Sequence, residues 1–126
     1  MVRFYGKGTN GKPSVIAYLK PYGKEQANKL RKILEQHFNL IELNYPNQNN
    51  LEWAHMNYIQ TNKAILLPGI GNNSDNMAEQ SILYHYNEEK FPEYKQRIST
   101  IQMRNFIKNC GGGLNCLSWT VLIPNK

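Results

Sequence analysis

Between Val15 and Leu43 the apolar residues change their spacing twice, and that change limits the fold more than any other feature of the chain. The run VIAYL, Val15–Leu19, is compact and β-branched and predicts a strand. Pro21 and Gly23 punctuate it. In KEQANKLRKILEQHF, Ala27, Leu30, Ile33, Leu34 and Phe38 fall near helical spacing with Lys and Glu between them, which predicts an amphipathic helix over Lys24–His37. The run LIEL, Leu40–Leu43, predicts another strand, so the opening reads β-α-β, with a further short strand at Val2–Tyr5.

The second half repeats that theme. Trp53–Gln60 and Ala64–Leu67 are strand-like runs joined by Thr61, Asn62 and Lys63, which predicts a β-hairpin whose second strand is the more deeply buried. Pro68 and Gly69 end it, and GNNSDN follows as a loop with capping residues. Met77, Ser81, Ile82 and Tyr86 predict a helix with Ser74–Asn76 at its start and Asp75 as a cap. Arg97–Met103 predicts a strand. Strands this short, alternating with two clear helices, place the chain in the α/β class, with mixed sheets and flanking helices rather than a bundle.

With 126 residues the chain suits one domain, able to bury roughly two thirds of its unfolded surface. Hydrophobic content of 40% and charged content of 19% are globular values. The net charge of +6 is scattered, with no basic block and no nucleic-acid motif, so nucleic acid is not an expected partner and a solvated basic surface is. Two cysteines, Cys110 and Cys116, are too few for a disulfide scaffold, and no third or fourth Cys or His stands at metal spacing. No metal or cofactor is expected. No secretory apolar region opens the chain, and no apolar run approaches the roughly 18 residues of a membrane helix. A reduced, soluble, cytoplasmic protein without a membrane partner is the expectation.

The closing stretch NCGGGLNCLSWTVLIP, Asn109–Pro124, sets three glycines between the cysteines. Ordering glycine costs more than ordering any other residue, so a tight turn or a close backbone approach must justify them. From the hairpin onward the layout resembles the guanidine-group-modifying enzymes, the pentein superfamily, in its agmatine deiminase and bacterial peptidyl-arginine deiminase branch. The matching residues are Asn57 in the hairpin, AILLPG at Ala64–Gly69, the helix around Ala78–Tyr86, ISTIQ at Ile98–Gln102, and GGGLNCLSW at Gly111–Trp119.

That resemblance implies a partial α/β-propeller of one to two ββαβ-type modules within a single domain. Residues 50–126 would be the last module with the Cys motif, and residues 1–45 weakly match the preceding one. It implies a cysteine-dependent deiminase acting on a guanidinium small molecule or an arginine side chain, agmatine or an arginine derivative, through a covalent thiouronium intermediate. Cys116 would be the nucleophile, with Gly111, Gly112, Gly113 and Asn115 in the substrate loop and Cys116 at the start of a strand. Asn115 stands where the family commonly has His, and Ser118 where it has Thr. The family's catalytic His and guanidinium-binding carboxylates lie in earlier modules. The resemblance therefore implies that the remaining modules, or a homo-oligomer, complete the site and that the isolated chain is inactive. Amidino transfer and succinylarginine-type hydrolysis are variants of the same chemistry.

Other residues have plainer expectations. Cys110 is expected as a small buried hydrophobe or a partly exposed bystander, His37 ends a helix, and His85 sits on a helix surface. His55 alternates with Trp53 and Asn57 on one expected strand face, as a packed, hydrogen-bonded residue or, alternatively, one facing a cleft beside Cys116. Trp53, Tyr58, Tyr84 and Tyr86 are expected in the core or an interface. The competing function is a non-catalytic pentein-like interaction module or degenerate fragment, which has no need of a low-pKa thiol; a nucleic-acid-binding domain is the third reading, and strong salt dependence would mark it.

Overall fold

The computed structural model describes residues 1–8, 10–46, 50–61, 63–87 and 97–118, without the side chains of residues 84–87 and 97. Two three-stranded mixed sheets are built the same way. In the first, β1 (Val2–Lys7) runs antiparallel to β2 (Pro13–Ala17), with an irregular register between Phe4 and Gly6. Helix α1 (Lys24–His37) then leads to β3 (Asn39–Glu42), which pairs parallel to β2. In the second sheet, β4 (Ile59–Gln60) is antiparallel to β5 (Ala64–Gly69). Helix α2 (Asn73–Asn87) leads to β6 (Arg97–Gln102), parallel to β5. Each unit is ββαβ, with the antiparallel pair first and the helical crossover second. That order follows from the chain: a short turn suffices for an antiparallel neighbour, whereas a parallel neighbour needs a long connection. The described residues form no closed barrel or propeller.

The expected helix over Lys24–His37 is present with the same bounds. Ala27, Leu30 and Leu34 pack with Ala17, Leu19 and Leu40, while Ile33 of the expected apolar face turns out to solvent. Arg31 clamps the helix to β3 through both oxygens of Glu42, at 2.7 and 2.8 Å. Helix α2 begins at Asn73, earlier than the apolar spacing implied, because Asn72 accepts the Ser74 N–H at 2.8 Å and nucleates the turn ahead of the first apolar residue.

One core joins the two sheets. Tyr5, Ile16, Tyr18, Ile41, Leu43 and Tyr45 from the first unit meet Met56, Tyr58, Ile65, Leu67, Ala78 and Ile82 from the second. Trp53 packs against this core and Tyr58 is fully enclosed, as expected. The side chains of Tyr84, His85 and Tyr86 lie outside the described residues, as does the apolar run from Trp119.

Three expectations are corrected. Trp53–Gln60 is not one strand: Glu52–Asn57 is a 3-10 helix and only Ile59–Gln60 pairs with β5. The physical reason is that Glu52, Ala54, His55 and Met56 are all buried, so no face of this segment is left to alternate. β5 runs on through Pro68 and Gly69, whose neighbours Ile101 and Gln102 continue the parallel ladder. Finally, the segment after β6 is a third helix, α3 (Arg104–Cys110), and Cys116 lies in a 3-10 turn, Leu114–Leu117, rather than at the start of a strand. Chain reversal at Gly111–Gly113 leaves this segment to close on itself, with Cys116 N–H bonded to Gly113 O at 3.1 Å.

Candidate functional site

The glycine run is spent on two different needs. Gly111 caps α3 in the left-handed region, at φ 67°, and its N–H donates to Ile107 O at 3.0 Å. Gly113 is required by proximity: a Cβ there would stand 2.9 Å from Asn57 Cβ and 3.0 Å from Asn57 Cγ. A Cβ at Gly112 would meet Phe106 and Cys116 only at ordinary contact distances of 3.5 Å and more. The reversal therefore lays the backbone of Gly113 against the end of the 3-10 helix Glu52–Asn57.

That approach brings Asn57 to Cys116. Asn57 Nδ2 donates to Cys116 Sγ at 2.9 Å, and Cys116 is exposed to solvent. The Asn57 hydrogen bond, with a second from the Gly113 backbone, holds the Cys116 thiol below its ordinary pKa, against a small opposing effect of burial. Both donors favour the thiolate, the form that attacks carbon or sulfur. Asn57 Oδ1 is enclosed and has no hydrogen-bond partner among the described residues. Cys110, at the end of α3, is also exposed, which corrects its reading as a small buried hydrophobe.

The other expected site residues divide around this pair. Asn115 is exposed, and its Oδ1 lies 3.5 Å from Arg3 Nη2. Ser118 bonds back to Asn115 O through its Oγ at 3.1 Å and so closes the turn. Met1, Val2, Arg3, Met56, Asn57 and Asn115 line an open cleft. His55 is not part of the cleft. It is fully buried, with Tyr45 Oη 2.8 Å from Nδ1 and Asp75 Oδ1 2.9 Å from Nε2. Its packed, hydrogen-bonded reading holds, although on a 3-10 helix rather than a strand face.

Burial pushes the His55 pKa down, and the opposing pull of Asp75 and Glu52 does not restore it. His55 is therefore the neutral tautomer that accepts from the Tyr45 hydroxyl at Nδ1 and donates from Nε2 to Asp75. Asp75 sits in the first turn of α2 and does more than cap it. Its Oδ1 accepts from Ile70 N–H at 2.8 Å, and its Oδ2 from Gly71 N–H at 2.9 Å and Gln102 Nε2 at 3.1 Å. Burial works to raise the Asp75 pKa, but these donors outweigh it and hold the carboxyl below its usual range.

Glu52 is likewise fully buried, held by Tyr18 Oη at 3.1 Å, Ser74 Oγ at 3.2 Å and Lys20 Nζ at 3.4 Å. Burial and the Glu52 charge push Tyr18 up to about 12. Both acidic side chains are thus held in the interior. Sequence reasoning missed Arg3, Glu52 and the depth of Asp75 because their partners are remote in the chain. Among the described residues, no group of three or more His, Cys, Asp or Glu is arranged to hold a metal ion.

The model of the Porphyromonas-type peptidyl-arginine deiminase family matches residues 17–121. The chain belongs to that family. No curated protein and no solved structure matches it. The family match runs from the end of β2 past the Cys116 turn, and so takes in both the 3-10 helix that carries Asn57 and the glycine reversal. No helix among the described residues of this deiminase-family chain is long and apolar enough to cross a membrane.

Proposed function

We propose that this chain carries the nucleophile of a deiminase that hydrolyses a guanidinium group, with Cys116 as the attacking residue. The observation that carries this reading is the Asn57 Nδ2–Cys116 Sγ hydrogen bond over Gly113, which favours a thiolate at an exposed position. Family membership supports an arginine-type guanidinium as the substrate class; agmatine, free arginine and an arginine side chain in a peptide are the candidates in this reading.

The thiolate sulfur attacks the guanidinium carbon and a C–S bond forms. The C–N bond to one terminal nitrogen breaks, and that nitrogen leaves as ammonia after taking a proton from a general acid. A thiouronium remains on Cys116. Water adds to the same carbon and loses a proton to a base; the added hydroxyl then gives up its remaining proton to solvent as the carbonyl forms and the C–S bond breaks, and the ureido product leaves with the thiolate restored. Gly111, Gly112, Gly113 and Asn115 frame the approach to the sulfur in this reading.

The reaction also needs a base, an acid and carboxylates that hold the planar guanidinium by paired hydrogen bonds. Among the described residues, no acidic side chain is hydrogen-bonded to Asn57, Asn115 or Cys116, and His55 and Asp75 are committed to each other. We therefore read the two ββαβ units as part of a larger α/β-propeller in the cytoplasm, residues 1–45 and 50–126 being successive modules. Further modules or a second copy of the chain would supply the missing groups. The test is to assay the 126-residue chain against agmatine, arginine and arginine peptides for ammonia and ureido product, alone and with the candidate completing subunit. We expect turnover only in the completed assembly and its loss in Cys116→Ala. Turnover that survives Cys116→Ala would overturn the assignment.

A further inference from the structure

The turn that carries Cys116 is held mostly by its own backbone. Cys116 N–H bonds to Gly113 O, and Ser118 bonds to Asn115 O, both within the turn. Among the described residues, two side-chain hydrogen bonds tie Leu114–Leu117 to the rest of the molecule: Asn57 to Cys116, and Arg3 to Asn115. The second comes from β1, far away in the chain.

Arg3 is placed to serve both sides of the Asn57–Cys116 contact. Its Nη1 donates to Met56 O at 3.3 Å and to Tyr58 O, the carbonyls on either side of Asn57. Its Nη2 makes a long contact of 3.5 Å with Asn115 Oδ1, immediately before Cys116. The guanidinium carbon lies 4.1 Å from the centroid of the Tyr58 ring, and Tyr58 is itself fully buried. A ring fixed in the core thus fixes the plane of the guanidinium.

We propose that Arg3 is a positioning residue for Cys116, holding the Asn57 segment and the Asn115–Cys116 turn in one frame so that the Asn57 amide stays on the sulfur. This rests on the reading of Cys116 as the nucleophile. Arg3 has no hydrogen bond to Sγ, so it acts through Asn57 and Asn115. The role needs the planar fork. A guanidinium presents five N–H donors in fixed directions and can stack on a ring while it serves three oxygens, whereas an ammonium is a point donor on a flexible stem.

The test follows the Cys116 thiol in the full chain carrying Cys110→Ser, so that one thiol reports. Thiolate ultraviolet absorbance and the iodoacetamide rate are recorded against pH for this parent and for the same protein with Arg3→Gln or Arg3→Lys, circular dichroism confirming the fold. In the parent we expect a midpoint below that of an ordinary thiol, as the Asn57 contact requires. Both Arg3 variants are expected to raise it by about one pH unit, which lowers the thiolate fraction near neutrality about tenfold. An ordinary midpoint in the parent would refute the nucleophile reading, whatever the variants do. A depressed parent midpoint that Arg3→Gln leaves in place, or that Arg3→Lys fully preserves, overturns the positioning role, the latter because charge alone would suffice. Loss of the fold in both variants also overturns it, since Arg3 would then be a general stabilising residue.

Discussion

At Cys116 the Asn57 amide is the largest influence favouring the thiolate, with the Gly113 backbone second. Asn57→Ala removes that amide, so the Cys116 alkylation rate at neutral pH should fall. The glycines should separate by position when each is changed to alanine. Gly113→Ala places a methyl 2.9 Å from Asn57 Cβ and is expected to push the amide off the sulfur, slowing alkylation as Asn57→Ala does. Gly112→Ala meets only ordinary contacts and is expected to keep near-parental reactivity. Gly111→Ala forces a Cβ into the left-handed region at φ 67° with open space around it. It is expected to cost about 1 kcal/mol of stability in urea unfolding and to spare the thiol's pH profile. If all three alanine variants behaved alike, the division of labour drawn from the geometry would be wrong.

Helix α1 was legible in the sequence to its ends because its apolar stripe, its Gly23 entry and its charged face all agree. The 3-10 helix Glu52–Asn57 was not, because Trp53, His55 and Asn57 imitate the alternation of a strand. What overrides that pattern is tertiary: Glu52 and His55 are drawn inward to Tyr18, Ser74, Tyr45 and Asp75, partners that no local spacing reveals. The glycine run was legible as a turn and a close backbone approach, whereas the contact made by the Cys116 sulfur depended on where a remote element ends. The Asp75 carboxylate ties the start of α2 to β6 and to this 3-10 helix. Asp75→Ala would leave a His N–H and two backbone N–H groups without their acceptor, and is expected to cost about 3 kcal/mol or more at pH 7 by urea unfolding. A loss below about 1 kcal/mol would mean that water replaces the carboxylate without penalty.

Across the whole molecule, the buried polar network links the two ββαβ units through Tyr18, Lys20 and Tyr45 on one side and Glu52, His55 and Asp75 on the other. It sets how the fold responds to acid. His55 is held neutral, with its folded pKa below the unfolded value of about 6.5. Above that value both states are neutral and His55 contributes no slope. Below it the unfolded chain binds a proton that the folded chain refuses, so stability declines until the folded pKa is reached. Asp75, whose folded pKa is depressed, adds a second decline below about pH 3.9. His55→Gln is expected to be less stable at pH 7 but to flatten the upper decline, as read from urea midpoints at pH 7.5 and 5.5. An unchanged slope in that variant would place the acid sensitivity elsewhere.

The same assembly that buries His55 leaves Cys116 open to solvent, and that contrast can be measured in one experiment on the parent chain. Brief iodoacetamide labelling near neutral pH, followed by peptide mass mapping, compares Cys116 with Cys110, two exposed thiols in one molecule. Faster labelling of Cys116, with the difference shrinking as the pH rises, is the result expected of an activated nucleophile held by Asn57 and Gly113. Equal rates, or faster labelling of Cys110, would contradict it.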